Sequence, residues 1–210
     1  MKLAFDPTSG RVRLVLPARA KLAMGLAWVE QQRAWIADQR AKLPEGRPFV
    51  PGAIVPVGGE DVELAWNEAA PRSPRRMEGR LVVGGPRDGF EARVGRWLRR
   101  EALRVLALET ADYAAKAGVS VAAVGVGDTR SRWGSCASSG AIRYSWRLIL
   151  APAAVRRATV AHEVAHRIHM NHSPAFHALV ADLFGRDPSP ERRWLKTNGA
   201  TLHWFGRSAS

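Results

Sequence analysis

The chain has 210 residues, 46% of them apolar and eight of them tryptophan, with 32 basic against 19 acidic side chains for a formal charge of +13. That much apolar material can bury a core unaided, and the single cysteine, Cys136, excludes an intrachain disulfide. No apolar run approaches a membrane span, and the opening MKLAFDPTSG lacks the apolar centre of a signal peptide, so no membrane partner and a reducing cytoplasmic setting are expected.

Arg11 to Leu16 alternates arginine with Val12, Leu14 and Leu16, as a half-buried strand does. Lys21 to Lys42 reads as one helix with Leu22, Leu26, Val29 and Ile36 in its apolar stripe and Trp28 and Trp35 at the edge. Gly52 to Val57 and Asp61 to Trp66 read as strands joined through Gly58-Gly59. Asn67 to Gly79 is an exposed loop, and Arg80 to Val83 a short strand closed by Gly84-Gly85-Pro86. Residues 1–87 thus make a mostly β layer with one helix, and nothing in them reads as chemistry.

Asp88 to Ala117 is a long helix with Phe90, Val94, Trp97, Leu98, Val105 and Leu108 on its buried face, ended by Gly118. Val119 to Val126 is a strand. Asp128 to Pro152 folds as a hairpin around Ser138-Ser139-Gly140 and leads into the next helix. That helix starts at Pro152, follows Val155, Ala158, Ala161, Ala165 and Ile168, and ends at Asn171, a residue that tolerates a left-handed backbone. Ser173-Pro174 opens a helix running to Phe184 with Phe176, Leu179, Val180 and Leu183 inward. Pro190 to Asn198 is the last helix, and Ser208 to Ser210 a loose end.

Chemistry concentrates between Thr159 and His177, which hold five of the six histidines. His162 and His166 stand four apart around Glu163, so on a helix both imidazoles leave one face and can hold a divalent ion, with Glu163 beside them to take a proton from water. His172, in the turn that follows, can fold back as a third ligand. Three protein ligands and one open position suit a catalytic zinc, one ion per chain. His169 and His177 read as surface or supporting residues. The outer spacing matches the metzincin signature, but His169 replaces its glycine, so that label does not apply.

Three pieces in this order, RWGSC (Arg132 to Cys136), WRLILAP (Trp146 to Pro152) and HE-x-x-H followed by NHS-x-x-F (Asn171 to Phe176), resemble the YgjP-like metal-dependent hydrolases, relatives of the SprT-like and WLM zincin-type metallopeptidases. The resemblance implies an α+β fold, with a zincin-like catalytic part over residues 88–210 whose active helix packs under a small sheet and hairpin. It places the metal ligands at His162, His166 and His172 and the catalytic glutamate at Glu163, in agreement with the spacing. Two departures stand out: Ser145 where the family usually has Asn, beside the hairpin, and His177 where it has a bulky aromatic, in the pocket wall.

The reading that follows is a zinc-dependent peptidase with Glu163 as general base and a peptide or protein substrate. Arg143, Tyr144 and Arg147 are candidates to meet the oxyanion. Asp182, Asp187 and Glu191 are candidates to hold the histidine rings. Cys136 reads as a small buried residue, the alternatives being a fourth ligand or a redox sensor. Two other functions stay open. One is metal-dependent pyrophosphohydrolysis of a nucleoside triphosphate such as UTP, against which no phosphate-cradling glycine loop is present. The other is a DNA-associated, SprT-like protease. The charge allows a nucleic-acid partner without favouring it, because 27 arginines spread over the whole chain also fit a compositional bias. Their densest group is Arg93, Arg96, Arg99, Arg100 and Arg104 on one helix, with Arg72, Arg75 and Arg76 in a loop.

Overall fold

The computed structural model describes residues 1–208; of the loose end expected at Ser208 to Ser210, Ala209 and Ser210 lie outside the described residues. The fold is α+β, with six helices and three small sheets among the described residues. Lys2–Asp6 (β1) and Arg11–Val15 (β2) form an antiparallel pair that sets Leu3 opposite Leu14 and Phe5 opposite Val12. Only the second of these strands is expected from the sequence. The C-terminal end ties the pair down: the Trp204 indole donates to the carbonyl of Pro7 and Arg207 to that of Thr8.

The single helix expected over Lys21 to Lys42 is two, Leu22–Gln31 (α1) and Arg33–Ala41 (α2), interrupted at Gln32, where φ is −95° and ψ 12°. Of the expected stripe, Val29 and Ile36 are half-buried but the two leucines are not. Leu22 and Leu26 are 64% and 55% exposed, and the residue that meets β2 is Gly25, where a β-carbon would lie 3.0 Å from a methyl of Leu14 and 2.6 Å from one of Leu16, just past the strand. Close approach through a glycine has displaced packing through leucines.

Ile54–Val57 (β3) and Glu60–Trp66 (β4) form the hairpin read from Gly58-Gly59, both glycines having positive φ, as a two-residue turn with the strand twist demands. Arg80–Val83 (β6) runs parallel to β4. Arg75–Met77 (β5), inside the stretch expected to be loop, pairs with its outer edge while all three side chains stay exposed. Phe90–Ala117 (α3) crosses this sheet between Gly89 and Gly118, both left-handed. Its buried row is Val94, Leu98, Ala102 and Leu106, at steps of four; Leu108, expected inside, falls off that row and is 56% exposed.

Ala123–Gly127 (β7) starts four residues later than expected, because the Val119 amide is still engaged with the carbonyl of Ala114 at the end of α3. Gly134–Cys136 (β8) and Ala141–Ser145 (β9) are the expected hairpin, with β9 central, parallel to β7 and antiparallel to β8. The hairpin does not continue to Pro152: Trp146–Leu150 is a buried 3-10 turn. Ala153–Ala165 (α4), Pro174–Phe184 (α5) and Ser189–Leu202 (α6) complete the chain, α6 running four residues past its expected end.

One core joins these layers. Val62, Leu64 and Leu81 of the four-stranded sheet cluster with Leu98 and Leu106 of α3, Leu148 and Ile149 of the 3-10 turn, and Val160 and Val164 of α4. Two buried arginines fix what the apolar contacts leave free. Arg156 on α4 is forked onto Glu109 on α3 at 2.8 to 3.2 Å. Arg147 donates to Asp128 and to the carbonyls of Leu202 and Phe205, binding the 3-10 turn to the end of α6. No described helix is long and apolar enough to cross a membrane.

Candidate metal centre

The last turn of α4 presents His162 and Glu163, and His166 is the residue that ends the helix. The helix stops there, not at Asn171. The amides of Arg167 and Ile168 close a tight turn onto the carbonyls of Val164 and Ala165, and the ring of His166 takes up the His169 carbonyl at 3.0 Å. Asn171 does not adopt positive φ; Glu78 is the only non-glycine among the described residues that does. Ser173 caps α5 as expected, accepting from the Phe176 amide, and so swings His172 back over α4.

The three imidazoles converge. A potential ligand nitrogen from each of His162, His166 and His172 lies within 4.8 Å of the others, and the Nε2 atoms of His162 and His172 are 3.2 Å apart. Ligands about 2.0–2.1 Å from a tetrahedral zinc stand roughly 3.3 Å from one another, so the separation fits. Burial first, then the neighbouring His166, His172 and Arg192, hold the His162 imidazole down to about 4, so near neutral pH the ring carries no positive charge. Two imidazole nitrogens facing each other at hydrogen-bond distance need a proton or a cation between them. The His166 bond has a related consequence: a carbonyl only accepts, so Nδ1 carries the proton and Nε2 offers its lone pair. The residues present fit a divalent ion.

Beneath the triad lies Phe176, fully buried, its ring centroid 4.9 Å from that of His162, 4.5 Å from His166 and 4.8 Å from His172. One aromatic ring therefore sets the tilt of all three imidazoles.

Glu163 is 5% exposed, and burial raises its carboxyl to about 7 against the opposing pull of Arg132. Above it runs β8. A β-carbon on Gly134 would come 2.5 Å from Oε1 of Glu163, and since φ of Gly134 is ordinary, the glycine is there for space. Trp133 is seated by a second close approach, onto Gly199 of α6. A cavity of about 260 Å³ opens beside Glu163 and His162, walled by Val155, Ala158, Val180 and Leu195, with Arg132 and Arg192 also lining it.

Other sequence candidates lie elsewhere. Arg147 is spent on the Asp128 knot, the Tyr144 hydroxyl is buried against Thr110 at 3.0 Å, and Arg143 is exposed on β9; none lines the cavity. Asp182 is exposed, Asp187 caps Ser189, and Glu191, which does line the cavity, is paired with Arg186. The partner found for a triad ring is a backbone carbonyl. Ser145 is wholly buried with an unpartnered hydroxyl, so it does not face a substrate, and His177 is exposed at the rim, 6.2 Å from His172 between ring centroids. Cys136 is half-buried, its thiol raised by burial, and it stands outside the triad. Sequence reading misses the roles of Arg132, Gly134, Phe176 and the His169 carbonyl. Of these, Arg132, Gly134 and Phe176 lie inside the quoted motifs, the only signal available for them.

No curated protein and no solved structure matches the chain. The family model described as YgjP-like, metallopeptidase domain matches residues 1–198. That span takes in every described strand, the first five helices, most of α6 and the whole triad, and the chain belongs to the YgjP-like metallopeptidase family.

Proposed function

We propose that the chain is a zinc-dependent peptidase in which His162, His166 and His172 hold one ion and Glu163 is the general base. Membership of a metallopeptidase family implies a metal-dependent hydrolase with a divalent ion, usually zinc, and a peptide substrate. The observation that carries the finer reading is the convergence of three imidazoles beside a buried carboxylate that no salt bridge from a described residue neutralises.

An ion held there acidifies water and polarises a carbonyl. Glu163 does the proton work. Its carboxyl sits at about 7 without a cation, and a dication nearby favours the carboxylate, so near neutral pH it accepts the proton of the attacking water. The same group returns that proton to the leaving amine. Burial by Gly134 and the apolar wall keeps bulk water from competing for it.

β8 is the edge strand that receives the substrate. Trp133 and Ala137 bond back to β9, through Ser145 and Ala141, so by the alternation of an antiparallel ladder the main-chain groups of Gly134 and Cys136 point outward. An extended peptide pairing with them lies across Glu163 and the triad, one side chain entering the cavity. Arg132, exposed and beside Glu163, is the cation able to meet the oxyanion, the role that the sequence alone offers to Arg143, Tyr144 or Arg147.

The test is cleavage of a quenched fluorescent peptide library by the zinc-loaded chain. Activity lost on chelation and restored by zinc supports the assignment; a fully zinc-loaded chain that cuts no peptide and no unfolded protein overturns it.

A further inference from the structure

A basic groove lies along the first half of α3, away from the triad. One cavity of about 620 Å³ is lined by Arg72, Arg93, Arg96, Arg99, Arg100 and Asp88, and a second of about 560 Å³ shares Arg96 and Arg99 and is floored by Trp146. Neither has a lining residue in common with the cavity at Glu163. We propose that the two form one groove that binds the phosphate backbone of a single-stranded nucleic acid.

Arginine outnumbers carboxylate in this groove, whose acidic lining residues are Asp88 and Glu91. Elsewhere Arg76, Arg80, Arg104, Arg156 and Arg186 are paired with carboxylates, and Arg147 in the second cavity is paired with Asp128, whereas among the described residues none of the five arginines of the first cavity is. Arg93 and Arg99 are partly engaged, donating to backbone carbonyls, and Arg99 lies over the Trp146 ring at 5.0 Å. The side chains of Arg72, Arg96 and Arg100 make no hydrogen bond to any described residue.

Unpartnered donors lie beneath the surface as well. Among the described residues, two of the four buried side-chain polar atoms without a partner are Arg93 Nε and Trp146 Nε1, both donor-only groups of residues lining the groove. The region is matched to a ligand rich in acceptors and negative charge. Arginine forks suit phosphate oxygens. Arg93, Arg96 and Arg100 repeat at steps of three and four along one helix face, over about 10 Å of axis, which calls for several phosphates in a row. The site is concave, so a single strand enters it where a duplex or a flat lipid surface does not. The groove offers no free aromatic face, because Trp146 is covered by Arg99 and Arg147, Phe205 is buried under Arg47 and Phe49 is buried, and binding is therefore indifferent to base sequence.

The experiment is fluorescence anisotropy of a labelled mixed-sequence single-stranded oligonucleotide against the zinc-loaded chain across a salt series. Substituting Arg72→Gln, Arg96→Gln and Arg100→Gln together should weaken binding at least tenfold and flatten the salt slope by about 2, at roughly 0.7 for each phosphate no longer neutralised. Lysine at the same three positions should restore most of the slope. A matched set at exposed sites elsewhere, Arg13→Gln, Arg19→Gln and Arg40→Gln, should leave both nearly unchanged. Absence of binding at low salt, equal losses in the two sets, or competition by polyglutamate as effective as by unlabelled oligonucleotide each overturns the proposal. Peptide cleavage is not read, so failure here leaves the assignment of the triad untouched.

Discussion

Gly134 of β8 and Glu163 of α4 meet so closely that a single added methyl group on the glycine would lie 2.5 Å from Oε1, 2.6 Å from Cγ and 2.7 Å from Cδ of the glutamate. Strand and helix leave room for the carboxylate and nothing else. The Gly134→Ala variant must push Glu163 aside or lift the strand. A displacement of about 1 Å at a catalytic group costs on the order of a hundredfold. The expected result is a loss of that size in kcat/KM with zinc content unchanged. A variant with wild-type turnover would show that Glu163 is not held from above.

Phe176 carries the triad, so Phe176→Ala should do two things at once. It empties a fully buried ring site, at a cost of about 3–5 kcal/mol in the unfolding free energy, and it releases the three imidazoles, weakening zinc binding by roughly tenfold or more. Denaturant unfolding and chelator competition measure the two separately. Phe176→Leu refills most of the volume without the stacking on His166; it should recover stability more fully than metal affinity.

The buried pair between α3 and α4 makes an asymmetric prediction. Arg156 and Glu109 have side chains 6% and 15% exposed, and removing either leaves the other charged and without its partner in the interior. Arg156→Met alone should cost about 3–5 kcal/mol, while Arg156→Met with Glu109→Leu should recover much of the loss. Equal destabilisation by the single and double changes would assign the pair no part in holding the helices.

Acid should unfold the metal-free protein in a definite window. Burial, seconded by Arg147, depresses His203 from 6.5 to about 4, and burial does the same to His162. The unfolded chain takes up protons at these sites below about pH 6.5 and the folded chain only near pH 4, so stability is full above 6.5 and falls as the pH drops between them. His203 touches Trp133 and not the triad, so His203→Gln isolates one share: its midpoint in denaturant should depend less on pH between 6.5 and 4 than that of the parent. Parallel pH profiles would refute the attribution.

What can be read from the chain is what repeats at fixed spacing. The triad and its glutamate follow from helix geometry and a turn, and Ser173-Pro174 announces α5 because a cap is local chemistry. What escapes depends on partners distant in sequence. Phe176 looks like any core phenylalanine until three rings are seen around it, and Gly134 like any turn glycine until Glu163 lies beneath it. β1 is hidden because MKLAFDPTSG alternates poorly by itself and is a strand only against β2. The helix at Lys21 reads as unbroken with leucines inward, because its contact with β2 is made by Gly25, a residue with no apolar signal. Arg147 looks catalytic since a hairpin arginine beside the motif is ambiguous; its bonds to Leu202 and Phe205 reach across most of the C-terminal half of the chain.

Bound metal and cleavage of an unfolded protein, measured together on the parent chain and on Glu163→Gln, separate metal binding by the triad from proton transfer by Glu163. One equivalent of zinc is expected in both, with hydrolysis by the variant slower than by the parent by roughly a hundredfold or more. Glu163→Gln cutting as fast as the parent, with the same zinc content, would contradict that role for Glu163.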